Sequence, residues 1–237
     1  MITMRGVSKR FGPLQVLNGV DLTIAAGRVT AVVGPNSAGK TTLIKSVLGL
    51  TRIDAGTIHL GGAPIDLAGQ YRESIGYMPQ IARFPENLTG ADLFAMMRDL
   101  RSAAGARDEE LVDSLGLTPH LGKPLRVLSG GTKQKVNAAL AFLFSPSVLI
   151  LDEPTAGLDP LASSIVKDKV LAERAQGRTF VLTSHVMSEL EELADDVAFL
   201  VDGRIRFSGP VHDLKRVTRQ LSLERAIAHV LDGGLAA

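Results

Sequence analysis

At residues 34–41 the chain reads Gly34-Pro35-Asn36-Ser37-Ala38-Gly39-Lys40-Thr41, which matches the phosphate-binding pattern G-x-x-x-x-G-K-[ST]. The apolar, β-branched run at 29–33 before it predicts a buried strand. After it, apolar residues within 43–48 recur at helical spacing, and Gly49 predicts the end of that helix. A strand, a glycine loop and a helix start make an anion site, because free backbone N–H groups and the helix dipole both favour negative charge.

Three side chains of this loop carry specific expectations. Lys40 supplies a point charge for the β- and γ-phosphates of a nucleotide, and the Thr41 hydroxyl can ligate Mg²⁺. Ser37 is less usual, because many loops of this kind have glycine at that position. If the position requires a positive φ, serine carries a modest strain there.

Composition limits the class of protein. The chain has 237 residues, of which 45% are hydrophobic and 22% charged, as in an ordinary globular protein of one large α/β domain, with or without a subdomain. The net charge of +1 argues against a dedicated nucleic-acid binder. There is no cysteine, the five histidines are scattered, and no apolar run approaches a membrane span. We therefore expect a cytosolic protein whose membrane role, if any, comes through a partner.

Polar residues follow three predicted strands. The apolar run 148–151 ends in Asp152 and Glu153, the run 180–184 ends at His185, and Gln80 follows a short strand and a proline. The carboxyl ends of strands in an α/β sheet gather at the ligand-binding edge. Asp152 would hold Mg²⁺ through water, and Glu153 would orient or deprotonate an attacking water. Solvated acids at a strand end, a structural histidine and a surface glutamine remain the alternatives.

Two further features suit a nucleotide less specifically. Phe11 stands among polar and glycine neighbours, where an aromatic ring could stack on a base or simply end a small sheet. Ser129-Gly130-Gly131 precedes a predicted helix, which is either a second anion site or a plain N-cap with flexible glycines.

The segment at about 88–145 changes to helical periodicity. Residues Leu93, Phe94, Met97 and Leu100 share one predicted helix face, and Thr89 with Asp92 resembles a capping box. A second helix is expected at 108–115 and a third at 133–144. A later helix at about 160–175 would place Leu161, Ile165 and Ala172 inward, and the end of the tail, 233–237, would be frayed.

Taken together, these motifs resemble the ATP-binding-cassette ATPases over nearly the whole chain. Their order is P-loop, glutamine loop, LSGG signature, strand-Asp-Glu, Leu-Asp loop and switch histidine. The resemblance implies an α/β fold with a RecA-like P-loop core, an antiparallel β-subdomain and an inserted helical subdomain. It implies one domain over 1–237, with the core and β-subdomain at about 1–85 and 146–210, the helical subdomain at about 86–145 and a helical tail at about 211–237. The signature reads LSGGT, where many members have Gln or Met as its fifth residue.

The resemblance also assigns roles. Gln80, Glu153 and His185 would be catalytic, and Thr41, Gln80 and Asp152 would contact Mg²⁺. Nucleotide contacts are expected at Phe11, Gly34, Pro35, Asn36, Ser37, Ala38, Gly39, Lys40, Thr41, Thr42, Ser129, Gly130, Gly131 and Asp159. In this family the P-loop and the signature face apart, so each would complete its site only in a head-to-tail homodimer that holds two ATP molecules.

The resemblance further implies an ATP hydrolase at the cytoplasmic face of the cell membrane, driving a separate integral-membrane permease through the surface between Gln80 and Leu93. The compact length is similar to the ATPases of ABC-2-type export or processing systems. Residues 133–144 are similar to the cassette for copper processing in nitrous-oxide reductase assembly. A soluble regulatory ATPase and a nucleotide-dependent binding module without turnover are the alternatives.

Overall fold

The computed structural model describes residues 1–66, 68–101 and 107–231. Within them the strands are β1 (Ile2–Phe11), β2 (Leu14–Ile24), β3 (Val29–Val33), β4 (Ala55–Leu60), β5 (Ala63–Pro64), β6 (Ile75–Met78), β7 (Val148–Asp152), β8 (Thr179–Thr183), β9 (Asp196–Val201) and β10 (Arg204–Pro210). The α-helices are α1 (Lys40–Val47), α2 (Gly90–Leu100), α3 (Glu110–Ser114), α4 (Gly130–Phe142), α5 (Pro160–Ala175), α6 (Met187–Leu193), α7 (Val211–Thr218) and α8 (Leu223–Leu231). Short 3₁₀ turns lie at Gln70–Ser74, Thr118–His120 and Leu125–Val127.

A six-stranded sheet forms the centre, in the order β10-β9-β3-β8-β7-β6. All its neighbouring strands pair in parallel except β10, which turns back on β9 through Asp202 and Gly203, both with positive φ. Strands β3, β7 and β8 are buried along their whole length, as expected for parallel strands covered on both faces. This order brings the carboxyl ends of β3, β6, β7 and β8 to one edge.

A second, antiparallel sheet has the order β2-β1-β4-β5 and lies over α1. Its apolar residues, those of α1 and one face of the central sheet form one hydrophobic cluster. The opposite face of the central sheet packs against the helices in a second cluster, which includes α4 and α5. The sequence predicted short strands over residues 2–33, and the observed β1 and β2 are longer, at 10 and 11 residues.

The helical segment largely follows its sequence signals. Thr89 and Asp92 form a complete capping box at the start of α2. Helix α4, predicted as the third helix of this segment, begins at Gly130, three residues before its predicted start. Leu93 and Phe94 are buried, but Leu100 is 71% exposed, so its predicted inward position is wrong. It lies in the last turn of α2, beyond the residues that face the core.

The predicted inward face of α5 is also partly wrong, for a different reason. Ala162, Val166 and Val170 face the core, whereas Leu161 is 73% exposed and Ala172 is also exposed. Helical spacing fixes which residues share a face but leaves a rotation of one residue open. The predicted helical tail appears as α7 and α8, and the frayed end at 233–237 lies outside the described residues.

Candidate nucleotide site

The loop at 34–39 joins β3 to the start of α1. Gly39 is the N-cap of α1 with φ 107°, it makes no side-chain cap, and the first turn carries no acidic residue. The N–H groups of that turn are therefore available to an anion. A β-carbon at Gly39 would lie 2.8 Å from the carbonyl oxygen of Val16, so only glycine fits this position. Ser37 has φ 69°, so the strain expected for serine at a position of positive φ applies here.

The side chain of Lys40 is drawn back onto its own loop. Its ammonium donates to the carbonyl oxygens of Gly34 at 2.6 Å and Pro35 at 3.0 Å. Partial burial lowers the pKa of Lys40, although Glu153 and Asp152 act in the opposite direction. The cation is thus held at the mouth of the loop, where it can reach a phosphate group.

Asp152 is the last residue of β7 and Glu153 follows it, and both are buried. The hydroxyl of Thr183, at the end of the neighbouring β8, donates to Oδ1 of Asp152. The N–H of Glu153 donates to the Thr183 carbonyl at 3.1 Å and lies 3.2 Å from the Thr183 hydroxyl oxygen. Glu153 itself has a left-handed backbone conformation with φ 54°, which breaks the extended conformation of β7.

His185 and Glu153 are in contact. The backbone N–H of His185 donates to Oε2 of Glu153 at 3.2 Å, and the imidazole Nε2 lies 3.4 Å from Oε1. The histidine side chain is more than half exposed, so it can still meet a ligand. The Glu153 carboxylate and the His185 imidazole are therefore close enough to contact the same bound ligand.

One cavity of about 340 Å³ collects these groups. Its lining is formed by Leu14, Val16, Asn36, Ser37, Ala38, Gly39, Lys40, Thr41, Thr42, Gln80, Asp152, Glu153 and His185. A hydroxyl, an amide and a carboxylate oxygen, from Thr41, Gln80 and Asp152, meet there, and Mg²⁺ prefers oxygen ligands. In the described ranges no cluster of three or more His, Cys, Asp or Glu could hold a metal.

Other predicted residues lie outside this lining. Phe11 ends β1 opposite Leu14, is 51% exposed, and has the Lys9 ammonium 5.2 Å from its ring centre. The lining instead contains Leu14 and Val16 of β2, which no sequence motif indicated. Stacking of Phe11 on adenine stays a prediction.

The signature residues also lie away from the cavity. Ser129 caps α4 by accepting from the N–H of Thr132 at 3.1 Å, and Ser129 and Gly130 are exposed. Asp159 caps α5 and pairs with Lys135 at 2.8 Å. The hydrogen bond from Lys135, with the N–H of Ala162, lowers the pKa of Asp159.

Sequence reasoning missed three supporting residues. Thr183 binds both Asp152 and Glu153, Asn137 of α4 donates to the carbonyl of Pro79 at 2.8 Å beside Gln80, and Glu189 of α6 accepts from Thr155 at 2.7 Å. Each joins elements that are distant in the sequence. For Asn137 and Glu189 no local pattern could have revealed the contact, whereas the position of Thr183 at a strand end, two residues before His185, was a usable signal.

Comparison with known proteins identifies the family. A family model described as "ABC transporter" matches residues 17–156. The chain belongs to the ATP-binding subunits of ABC transporters. It is 37% identical over 218 residues to a Nod factor export ATP-binding protein I of Burkholderia lata, covering 90% of this chain and 72% of that protein. It is 37% identical over 222 residues to a daunorubicin resistance ATP-binding protein of Streptomyces coeruleorubidus, covering 92% and 70%.

Solved structures agree with this assignment. One described as the ATP-binding subunit of an ABC transporter has a TM-score of 0.90 and 28% identity, covering 98% of this chain and 99% of that chain. A dimeric ATP-binding cassette bound to ADP and phosphate has a TM-score of 0.78 at 20% identity, which shows the shared fold. The predicted RecA-like ABC fold is confirmed, and the chain is an ABC-type ATPase that binds ATP.

The finer expectation of a copper-processing cassette has no support in these comparisons. The relatives named above carry names of export and drug-resistance proteins. Among the described residues, no helix is long and apolar enough to cross a membrane.

Proposed function

We propose that this chain is the ATP-hydrolysing subunit of an ABC-2-type exporter. It would dimerise head-to-tail around two ATP molecules and drive a separate membrane permease from the cytoplasmic face. The observation that carries the proposal is the division of the motifs: the cavity collects the P-loop, Gln80, Asp152, Glu153 and His185, while Ser129 stands exposed outside it.

In this proposal the phosphates of ATP bind the backbone of 34–42 and Lys40. Thr41, Gln80 and Asp152 would hold Mg²⁺, which when bound neutralises phosphate charge. Glu153 orients or deprotonates the attacking water, and its contact with His185 fixes its direction. His185 reaches the γ-phosphate with its exposed imidazole.

A second copy would complete each site. Ser129, Gly130 and Gly131 offer a hydroxyl and N–H groups at the start of α4, which suit a phosphate of the partner's nucleotide. Asp159 is joined to the same helix by its ion pair with Lys135. Because the arrangement is reciprocal, it closes with two-fold symmetry, and hydrolysis would remove the γ-phosphate contacts and open the dimer.

A groove near Gln80 is the proposed contact with the permease. It has a volume of about 390 Å³ and is lined by apolar side chains that include Tyr77, Phe84, Met97 and Phe144. Pro79, which precedes Gln80, also lines it, and so does Asn137, which binds the Pro79 carbonyl. A helix of the permease seated there would therefore touch the segment that carries Gln80 into the nucleotide cavity.

Export is favoured by the relatives, whose names specify Nod factor export and daunorubicin resistance. A soluble regulatory ATPase remains the competing function, and the experiment is designed to separate the two.

The test is a pull-down of tagged Glu153→Gln protein from its native membranes with ATP and Mg²⁺. We expect a multi-span protein in stoichiometric amount, and we expect Met97→Glu in the groove to abolish its recovery. Met96→Glu is the matched control, because Met96 is the neighbouring residue, is exposed and lies outside the groove. Recovery of soluble proteins alone, or equal recovery with both Met variants, would overturn the transport proposal.

A further inference from the structure

The Glu189 carboxylate accepts hydrogen bonds from two loops of the nucleotide site. Glu189 lies in the first turn of α6, and its Oε2 accepts from the Thr155 hydroxyl at 2.7 Å and from the Ser184 hydroxyl at 3.3 Å. Thr155 stands two residues after Glu153, and Ser184 immediately precedes His185. Glu189 itself does not line the nucleotide cavity.

The Ser184 side of this contact is firmly built. Ser184 is buried, and its hydroxyl also accepts from the N–H of Val186 at 3.0 Å. The Ser184 hydroxyl and the Val186 N–H, on either side of His185, thus belong to one hydrogen-bond network that ends on the Glu189 carboxylate. A carboxylate that accepts from two hydroxyls forms charge-assisted bonds, which are stronger than neutral ones.

On the other side of the contact, Thr155 belongs to a loop that touches the signature helix α4. Thr155 begins the loop that ends at Asp159, and this loop touches the start of α4 at two points. A β-carbon at Gly131 would lie only 3.1 Å from the carbonyl oxygen of Gly157, and Lys135 pairs with Asp159. A displacement of the loop therefore moves against the first turns of the signature helix.

We propose that Glu189 is a positioning residue that transmits the state of the His185 loop to the loop at 155–159 and to the signature helix. The inference rests on the proposed head-to-tail dimer, in which His185 faces the chain's own nucleotide and Ser129 faces the partner's. Glu189 would then couple the two nucleotide sites without touching either nucleotide.

The test uses isosteric changes at both ends of the contact. Glu189→Gln keeps the shape and removes the charge, and Thr155→Val keeps the shape and removes the donor. We expect each to lower maximal ATPase turnover by about tenfold, the order of one lost charge-assisted hydrogen bond. ATP binding to the isolated chain, followed with a fluorescent nucleotide, should stay within about twofold, and the dependence of turnover on ATP concentration should lose its cooperativity.

The double variant and a control make the result decisive. Because the two residues act through one contact, Thr155→Val with Glu189→Gln should lose no more turnover than the worse single variant. Glu192→Gln is the control: it is also on α6 and also loses a charge, but Glu192 is exposed, pairs with Lys167 at 2.6 Å, and its loss should change turnover less than about twofold. Additive losses, or retained cooperativity in the single variants, would overturn the inference.

Failure of the dimer can be told apart from failure of this coupling. Light scattering of the Glu153→Gln protein in ATP measures the dimer directly, with and without Glu189→Gln. If Glu153→Gln alone stays monomeric, the proposed function fails. If it dimerises and Glu189→Gln leaves turnover and cooperativity unchanged, only the coupling role fails.

Discussion

Substitution of Lys169 should lower the stability of the protein, because Lys169 joins α5 to the helical segment through ion pairs. Its ammonium, on a side chain that is 6% exposed, contacts Asp108 at 2.5 Å, Glu110 at 2.7 Å and Glu173 at 3.0 Å. Burial alone would lower the pKa of Lys169, but its hydrogen bonds with the three carboxylates outweigh this and raise it above the ordinary value. Lys169→Met removes this partner from Glu173, which is buried, and from Asp108, whose side chain is 13% exposed.

The expected magnitude follows from that geometry. Removing one partner of a buried ion pair costs about 3–5 kcal/mol, because the remaining charge stays desolvated. For 237 residues the unfolding entropy is roughly 0.5 kcal/mol/K, from about 2.1 cal/mol/K per residue. Each kcal/mol then shifts the melting temperature by about 2 °C, so Lys169→Met should melt about 6–10 °C lower.

Calorimetry or circular dichroism without nucleotide measures the shift, and Lys167→Met is its matched control. Lys167 lies on the same helix and pairs with exposed Glu192, a contact worth less than about 1 kcal/mol. Adding Asp108→Asn to Lys169→Met should recover part of the loss, because Glu173 keeps Arg178 at 3.4 Å. Equal melting of the Lys167 and Lys169 variants would refute the reasoning.

The same ion cluster has a defined pH dependence. The folded-state pKa of Lys169 is raised above the ordinary 10.5, so its stabilising contribution is complete below that pH and is lost as pH rises through the folded value. As the pH is raised from neutral, the stability difference between wild type and Lys169→Met should therefore shrink only in strongly alkaline solution, as thermal melts of both proteins over that pH range would measure.

Three further changes test local parts of the account. Gly39→Ala places a β-carbon 2.8 Å from the Val16 carbonyl at φ 107°, so nucleotide binding, followed by fluorescence titration, should be lost, and unchanged affinity would contradict the geometry. Ser37→Gly removes a positive-φ serine and should raise stability in urea by up to about 1 kcal/mol, whereas a clear loss would show that the serine side chain contributes more than its strain costs. Thr183→Val removes the donor to Asp152, so about tenfold more Mg²⁺ should be needed for ATP to stabilise the protein against thermal unfolding. Thr183→Ser keeps the hydroxyl and should restore the wild-type Mg²⁺ dependence, and equal Mg²⁺ dependence in both variants would exclude this role.

The strands and the phosphate loop were predictable because their signals are local. Complete burial of β3, β7 and β8 follows from apolar β-branched runs, and Gly39 and Gly49 mark the two ends of α1. The capping box at Thr89 was readable for the same reason, since it needs only residues 89–92. The exposure of Leu100 and Leu161 was not predictable, because the sequence of a helix does not show how far the core extends along it or how the helix is rotated against the core.

The candidate site was predictable only in its primary residues. Asp152 ends β7, Glu153 follows it and His185 lies just beyond β8, and parallel pairing gathers strand ends at one edge. The contacts that aim them come from Thr183 and Glu189, and the Asn137 bond holds the segment before Gln80. These contacts join residues 30 or more positions apart and become visible only when the strand order is known.

The head-to-tail dimer is the central claim, and the absence of cysteine from the chain allows a direct measurement. Asn36→Cys and Ser129→Cys are made separately in the Glu153→Gln protein, and the two variants are mixed with ATP, Mg²⁺ and a short thiol cross-linker. The account predicts a cross-linked dimer in the mixture with ATP and none in either variant alone, since position 36 of one copy would face position 129 of the other. Cross-linking of Ser129→Cys with itself, or of the mixture without nucleotide, would contradict it.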